Sequence, residues 1–182
     1  MKVVFDASVL LLLVDPTAKA PAVDEAVERQ GSARDRIDHL IATLDKRRAI
    51  AVVPSPALTE LLINSGQAAG GVAEILSATR RFIIHPFDMK AAVECGVMLG
   101  DARRKGKRSA PWAKVKFDHQ IVAIAKSVNA EVIYSDDSDI KKLGDKENIR
   151  VFGVWDLAPP PVEAQYDMLL SQPSADAESK PA

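Results

Sequence analysis

Lys2-Val3-Val4-Phe5-Asp6-Ala7-Ser8 runs directly into Val9-Leu10-Leu11-Leu12-Leu13-Val14. The first part reads as a buried strand, Val3 to Phe5, and the second as a short helix, Ser8 to Val14. Asp6 stands between them, so a charge is delivered to the carboxyl edge of a sheet, where open α/β sheets bind ligands. The pattern returns late in the chain. Glu131-Val132-Ile133-Tyr134-Ser135 is a second strand, and it empties into Asp136-Asp137-Ser138-Asp139. Carboxylates gathered at one edge repel unless a cation holds them, which points to a metal site for a hard ion.

The 182 residues fit one domain, and 47% hydrophobic content is enough for a core. Lys and Arg total 24 against 25 Asp and Glu, a formal net charge of -1, so any nucleic-acid binding must come from a local patch. The single cysteine, Cys95, excludes an intrachain disulfide and a cysteine zinc cluster, and its apolar helical setting makes it a small core residue. The apolar run Val9 to Val14 is far too short to span a membrane, and the start of the chain does not read as a signal peptide. The expected setting is soluble and cytoplasmic.

Strand and helix signals alternate along the chain. Residues 15–34 are polar, Ala-rich and broken by Pro21 and Gly31, an irregular or partly helical insertion. Ile37, Leu40, Ile41 and Leu44 have helical spacing within Ala33 to Lys46. Ile50 to Val53 is a strand, and Ser55-Pro56 starts a helix with a side-chain oxygen at the cap and proline in the first turn. A helix from about Ala69 to Thr79 and a strand Phe82 to Ile84 follow. Asp88 to Arg104 is a long helix with Ala92, Val93, Val97, Met98 and Leu99 inward. Lys105 to Lys116 is a basic loop, and Asp118 to Val128 an apolar helix opened by its aspartate. Strands at Glu131 to Tyr134 and Ile149 to Phe152 complete the set. Alternation of this kind implies a parallel sheet with helices on both faces. Residues 158–182 pass through three prolines into a polar tail with too few apolar residues to fold alone, expected to be disordered.

Each acid also has an ordinary reading. Asp6 and Asp118 suit helix caps, and Asp136, Asp137 and Asp139 suit a turn. Glu60 lies past the capping-box position and suits a solvated helix face shared with Ala57 and Asn64. Their joint placement is less ordinary. Asp6 and Asp137 follow strands, Glu60 follows the strand Ile50 to Val53, and a helix leading back into a parallel strand starts at the same edge, which brings Asp118 there too.

In this order the acids resemble the PIN-domain ribonuclease family, and VapC-type toxins in particular. The matching segments are Val4-Phe5-Asp6-Ala7-Ser8, Ser55-Pro56-Ala57-Leu58-Thr59-Glu60-Leu61-Leu62, Phe117-Asp118-His119-Gln120-Ile121-Val122, and Ile133-Tyr134-Ser135-Asp136-Asp137-Ser138-Asp139-Ile140. The resemblance spans about residues 1–155. It implies a PIN-like three-layer α/β fold over residues 1–157, with 15–36 as an insertion. It also implies Mg²⁺- or Mn²⁺-dependent RNA cleavage by Asp6, Glu60, Asp118 and Asp137, with Asp139 as a more variable fifth metal ligand. Ser8 matches a small hydroxyl position beside the site. A protein antitoxin and a homodimer are the protein partners it implies.

The chemistry expected of such a site is activation of water for phosphodiester hydrolysis, with charge on the leaving oxygen neutralised. Arg103, Arg104, Lys107 and Arg108 form the densest basic run, continued by Lys114 and Lys116, and suit RNA phosphates; Trp112 suits stacking on an unpaired base. A helix end decorated with cations is the ordinary reading of that run. His119 reads as structural or surface. A haloacid-dehalogenase-like phosphatase needs a second acid where Ser8 stands, and a receiver domain needs an early acid pair and a late lysine in a shorter chain. The alternative that stays open is a non-catalytic PIN-like module that binds RNA or protein.

Overall fold

The computed structural model describes residues 1–15, 17–65, 72, 74, 76, 82–101, 104 and 111–161, and the backbone of 102 and 103. Five parallel strands form one sheet in the order β3-β2-β1-β4-β5. They are β1 (Lys2–Phe5), β2 (Ile50–Pro54), β3 (Phe82–His85), β4 (Val132–Tyr134) and β5 (Arg150–Phe152). The helices are α1 (Ala7–Val14), α2 (Glu25–Glu28), α3 (Ala33–Lys46), α4 (Ser55–Ser65), α5 (Met89–Arg104), α6 (Trp112–Ser127) and α7 (Ser138–Lys146). A 3₁₀ turn, Val154–Asp156, follows β5. This is the α/β three-layer fold with a central parallel sheet that the sequence implies.

Strand residues alternate between two apolar layers, as the period of two demands. Val4, Val52, Ile133 and Val151 face a core built with α5, α6 and α7. Val3, Phe5, Ala51, Val53, Val132 and Tyr134 face the other core, with α1, α3 and α4. Burial on both faces explains why these strands read as continuous apolar runs. The chain moves outward from β1 through β2 to β3, then crosses to β4 on the other side of β1. The sheet's switch point therefore lies beside β1, where the carboxyl ends of neighbouring strands open a crevice.

Two expectations are corrected. Helix α6 begins at Trp112, six residues before Asp118, so Asp118 is no cap; it lies well inside the helix, roughly 9 Å along its axis. Lys114 and Lys116 are thereby helical and not part of a loop. On α5 the buried stripe is Ala91, Cys95 and Met98; of the residues expected inward, Met98 is buried and Leu99 packs half-buried against the core, whereas Ala92 is exposed and Val93 is 63% and Val97 58% exposed. Both stripes have helical spacing, and packing against α6 selects one of them. The basic residues 105–110, most of the helix expected at 69–79, and the tail from 162 lie outside the described residues.

The segment that precedes α3 is tied to the residues after β5 by Arg36, which is 3% exposed. Its guanidinium donates to the carbonyls of Gly31 (3.1 Å), Val27 (3.0 Å) and Leu157, and lies 5.6 Å from the ring centre of Trp155. The Trp155 indole N–H donates to Pro21 O at 2.7 Å. A capping box between Ser32 and Asp35 starts α3 just before Arg36.

Candidate metal centre

At the carboxyl edge a cleft of about 480 Å³ is lined by Asp6, Ser8, Glu60, Lys114, Asp118 and Asp137, with Leu11, Ile63, Phe117, Ile121 and Ile140 as apolar walls. Each acid arrives by a different route. Asp6 is the first residue past β1, with its backbone N–H still bonded to Tyr134 O at 3.0 Å. Glu60 comes from α4, whose Ser55 hydroxyl accepts the backbone N–H of Phe87 at 3.1 Å and so ties that helix to the residues after β3. Ala57, expected on the same solvated face as Glu60, is buried. Asp118 reaches the cleft because α6 projects beyond the sheet edge.

Asp6 is buried, and its Oδ2 accepts hydrogen bonds from Ser135 Oγ (2.7 Å) and Ser8 Oγ (3.0 Å). Burial raises its pKa above the ordinary carboxylate value despite these hydroxyl donors. Ser135 also accepts the backbone N–H of Asp137 at 3.1 Å, and Ser8 that of Asp136 at 3.2 Å. The two serines thus lock the end of β1 to the end of β4. Ser135 carries no distinctive motif, and only its place between a strand and paired aspartates hints at this role.

Asp136 and Asp137 part company. Asp136 Oδ1 turns away from the cleft and accepts Val154 N–H at 2.8 Å. A side chain at Gly153 would meet that oxygen at 2.6 Å, so glycine is needed there. Asp137 combines a structural contact with a place in the cleft. Its Oδ1 caps α7 by accepting from Asp139 N (2.7 Å) and Ile140 N (3.4 Å), and its Oδ2 faces the cleft.

Lys114, read from the sequence as part of the basic run for RNA phosphates, pairs instead with the acids. Its ammonium donates to Oδ2 of Asp137 (2.8 Å), of Asp118 (3.1 Å) and of Asp139 (3.3 Å). It stands one helical turn before Asp118 on the same face. The signal was the four-residue spacing, hidden because the helix start was placed after it. Burial pulls the Lys114 pKa down, but its hydrogen bonds to Asp137 and Asp118 outweigh that and raise it. Burial likewise pushes up Asp137, where Lys114 and the cap N–H groups win and lower it. At Asp118, the more deeply buried of the two, burial prevails over Lys114 and the pKa is raised. Glu60 is raised by its partial burial and by the charges of Asp6, Asp118 and Asp137. Asp139 is lowered, first by Lys142.

Among the described residues, Asp118, Asp137 and Asp139 present carboxylate oxygens within 4.8 Å of one another, a spacing that can hold a metal ion. Asp6 and Glu60 share the cleft with Asp118 and Asp137 without belonging to that tight group. His119 is buried, and its Nδ1 donates to Val115 O at 2.7 Å, a structural contact. Of the basic run, Arg104 is exposed and paired with Asp101, while the side chain of Arg103 and all of Lys107 and Arg108 lie outside the described residues. Trp112 is the first residue of α6. No described helix is long and apolar enough to cross a membrane.

No protein-family profile matches the sequence, and no curated protein sequence matches it. Solved structures do resemble it. VapBC2 from Rickettsia felis, bound to a DNA fragment from their promoter, aligns with a TM-score of 0.60 and 15% identity, covering 84% of this chain and 98% of that one. VapBC from Salmonella typhimurium, also bound to DNA, gives 0.56 and 16%, covering 85% and 98%. VapC20 of Mycobacterium tuberculosis, a toxin that cleaves the Sarcin-Ricin loop, gives 0.54 and 13%, covering 78% and 95%. At such identities the likeness concerns the fold alone: this chain shares the three-layer α/β fold of these VapBC and VapC structures over most of its length.

Proposed function

We propose that this protein is a metal-dependent endoribonuclease that hydrolyses RNA phosphodiesters at the cleft beside β1, acting as the toxin of a toxin–antitoxin pair. The observation that carries the reading is the convergence of Asp6, Glu60, Asp118 and Asp137 from four separate elements on one cleft at the switch point. The donor set is all carboxylate oxygen, which suits Mg²⁺ or Mn²⁺ over softer ions. That a cation belongs among these acids is supported by the ammonium of Lys114 already lying there.

Asp118, Asp137 and Asp139 would hold the ion, with Asp6 and Glu60 completing its surroundings. A divalent ion so bound supplies activation of the attacking water and neutralisation of charge on the leaving oxygen. The chain does the positioning. Ser8 and Ser135 fix the Asp6 carboxylate, and the α7 cap fixes Asp137. The apolar walls at Leu11, Ile121 and Ile140 restrict water at the cleft floor. Arg103, Arg104, Lys107 and Arg108 supply cations for the RNA backbone in this reading. A protein partner is supported by Ile63, 74% exposed, and Phe117, 42% exposed, at the cleft mouth.

The test is cleavage of single-stranded RNA by purified protein in Mg²⁺ or Mn²⁺, with chelator as control, for wild type and Asp6→Asn. Cleavage that needs the ion and disappears in the folded variant supports the reading. Cleavage undiminished in Asp6→Asn, or insensitive to chelator, overturns it. Metal and RNA binding without cleavage would favour the non-catalytic module.

A further inference from the structure

Three acids within 4.8 Å of one another are costly to keep together. In this protein one side chain bridges all three, while Lys142 pairs with Asp139 alone at 2.9 Å. All three Lys114 ammonium donors are used on Asp118, Asp137 and Asp139, the same residues whose spacing suits a metal ion. The site's own helix carries the cation, four residues before its first acid. The side chain is 43% exposed, so it has a route out to solvent.

We infer that Lys114 is a tethered cation that holds the three aspartates together without metal, and that a divalent ion must displace it to bind. An ammonium at 2.8–3.3 Å from these oxygens and a metal ion at the ~2.0–2.1 Å typical of Mg²⁺ claim the same volume. The two cations are therefore competitors for one set of oxygens. Lys114 makes the metal-free site stable and inert, and sets the concentration of divalent ion at which the site fills. Lys116, two residues on, is exposed and has no bond to the acids among the described residues, so it reports on charge alone.

The inference rests on the metal-site reading, and its test separates the two. Calorimetric titration of chelator-stripped protein with Mn²⁺, and melting with and without Mn²⁺, are compared for wild type, Lys114→Met and Lys116→Met. Competition predicts that Lys114→Met binds Mn²⁺ about tenfold more tightly, since charge-assisted bonds no longer have to be broken. It also predicts a lower apo melting temperature and a larger rise on adding Mn²⁺. Lys116→Met should shift the affinity less than about twofold, because an exposed charge is screened. Lys114→Gln is the substitute if the methionine variant does not fold, with the same expected signs. Equal or weaker Mn²⁺ binding by the Lys114 variants overturns the inference and leaves the metal site intact. Equal tightening by Lys116→Met also overturns it, in favour of a general field effect. Absence of Mn²⁺ binding in every protein overturns the metal-site reading and this inference together.

Discussion

Among the described residues, charge is buried in two places, and they are solved in opposite ways. Arg36 is surrounded by backbone carbonyls and the face of Trp155, and among the described residues no carboxylate pairs with it. Each of its three nitrogens donates to a fixed neutral dipole, a backbone carbonyl. The cleft instead gathers like charges, with Asp6 held by two hydroxyls and three further aspartates sharing the half-exposed Lys114. The first arrangement is complete without a ligand. The second keeps residual repulsion, visible in the raised pKa values of Asp6, Glu60 and Asp118, although burial is the leading cause of each. Groups buried for structure find permanent partners, whereas groups gathered for function are left for a ligand to finish. The two regions nearly touch: Asp136 bonds toward Val154 beside Trp155, and its neighbour Asp137 faces the cleft.

The sharpest separation should come from Asp118→Asn and Arg36→Met. In Asp118→Asn the shape is kept while one of three tight acids loses its charge. RNA cleavage at saturating Mn²⁺ should fall roughly 100-fold or more, about 2.7 kcal/mol of barrier, with the melting temperature nearly unchanged. Arg36→Met should do the reverse. Three backbone carbonyls lose their donor, a loss of roughly 2–4 kcal/mol in chemical denaturation, while the folded fraction should bind Mn²⁺ as wild type does. If Arg36→Met weakened Mn²⁺ binding at full folding, or Asp118→Asn unfolded the domain, the division between the two regions would fail.

A smaller effect is expected at Asp6, and its sign depends on pH. Burial raises the folded-state pKa of Asp6 above its unfolded value. Between those two values the native state binds the extra proton, so apo stability from this group falls as pH rises through that window. Above the window the full penalty is present. Asp6→Asn removes it, and without metal should raise the melting temperature by roughly 2–6 °C at neutral pH. That gain should shrink as pH is lowered, because wild-type Asp6 then becomes neutral as well. A gain that is flat across pH, or a loss at neutral pH, would show that Asp6 is a structural anchor like Arg36.

The sequence carried the sheet almost entirely. Alternation of strands with helices implied the parallel order, and Asp6 and Asp137 stood out because charges closing buried strands are conspicuous. What it hid was settled by packing. Apolar spacing could not place the start of α6, since Trp112 to Phe117 mixes cations with apolar residues, and so Lys114 was read with the basic run. Nor could spacing choose between the stripes Ala91-Cys95-Met98 and Val93-Val97, which only contact with α6 decides. Arg36 gave no signal, because carbonyls that capture a guanidinium belong to the backbone and have no letter of their own. Asp136 and Asp137 are alike in sequence, and only β5 and the 3₁₀ turn beyond it draw one of them away from the cleft.

The smallest predicted effect probes the structural region alone. Trp155→Phe keeps an aromatic face for Arg36 but removes the indole N–H that meets Pro21 O at 2.7 Å. Pro21 is exposed, so water can replace the lost donor and the penalty should be modest. Stability should fall by about 0.5–1 kcal/mol, the net worth of one hydrogen bond. Protection of the backbone around residues 17–31 from hydrogen exchange should fall more than protection in the sheet, because Trp155 and Arg36 are what tie that segment to the core. Mn²⁺ affinity and RNA cleavage should stay within about twofold of wild type, inside the ~0.3–0.5 kcal/mol within which independent sites add. A larger change in Mn²⁺ affinity would mean that strain at the 3₁₀ turn reaches Asp137 through Val154 and Asp136, and that the buried cation and the buried acids are one coupled unit.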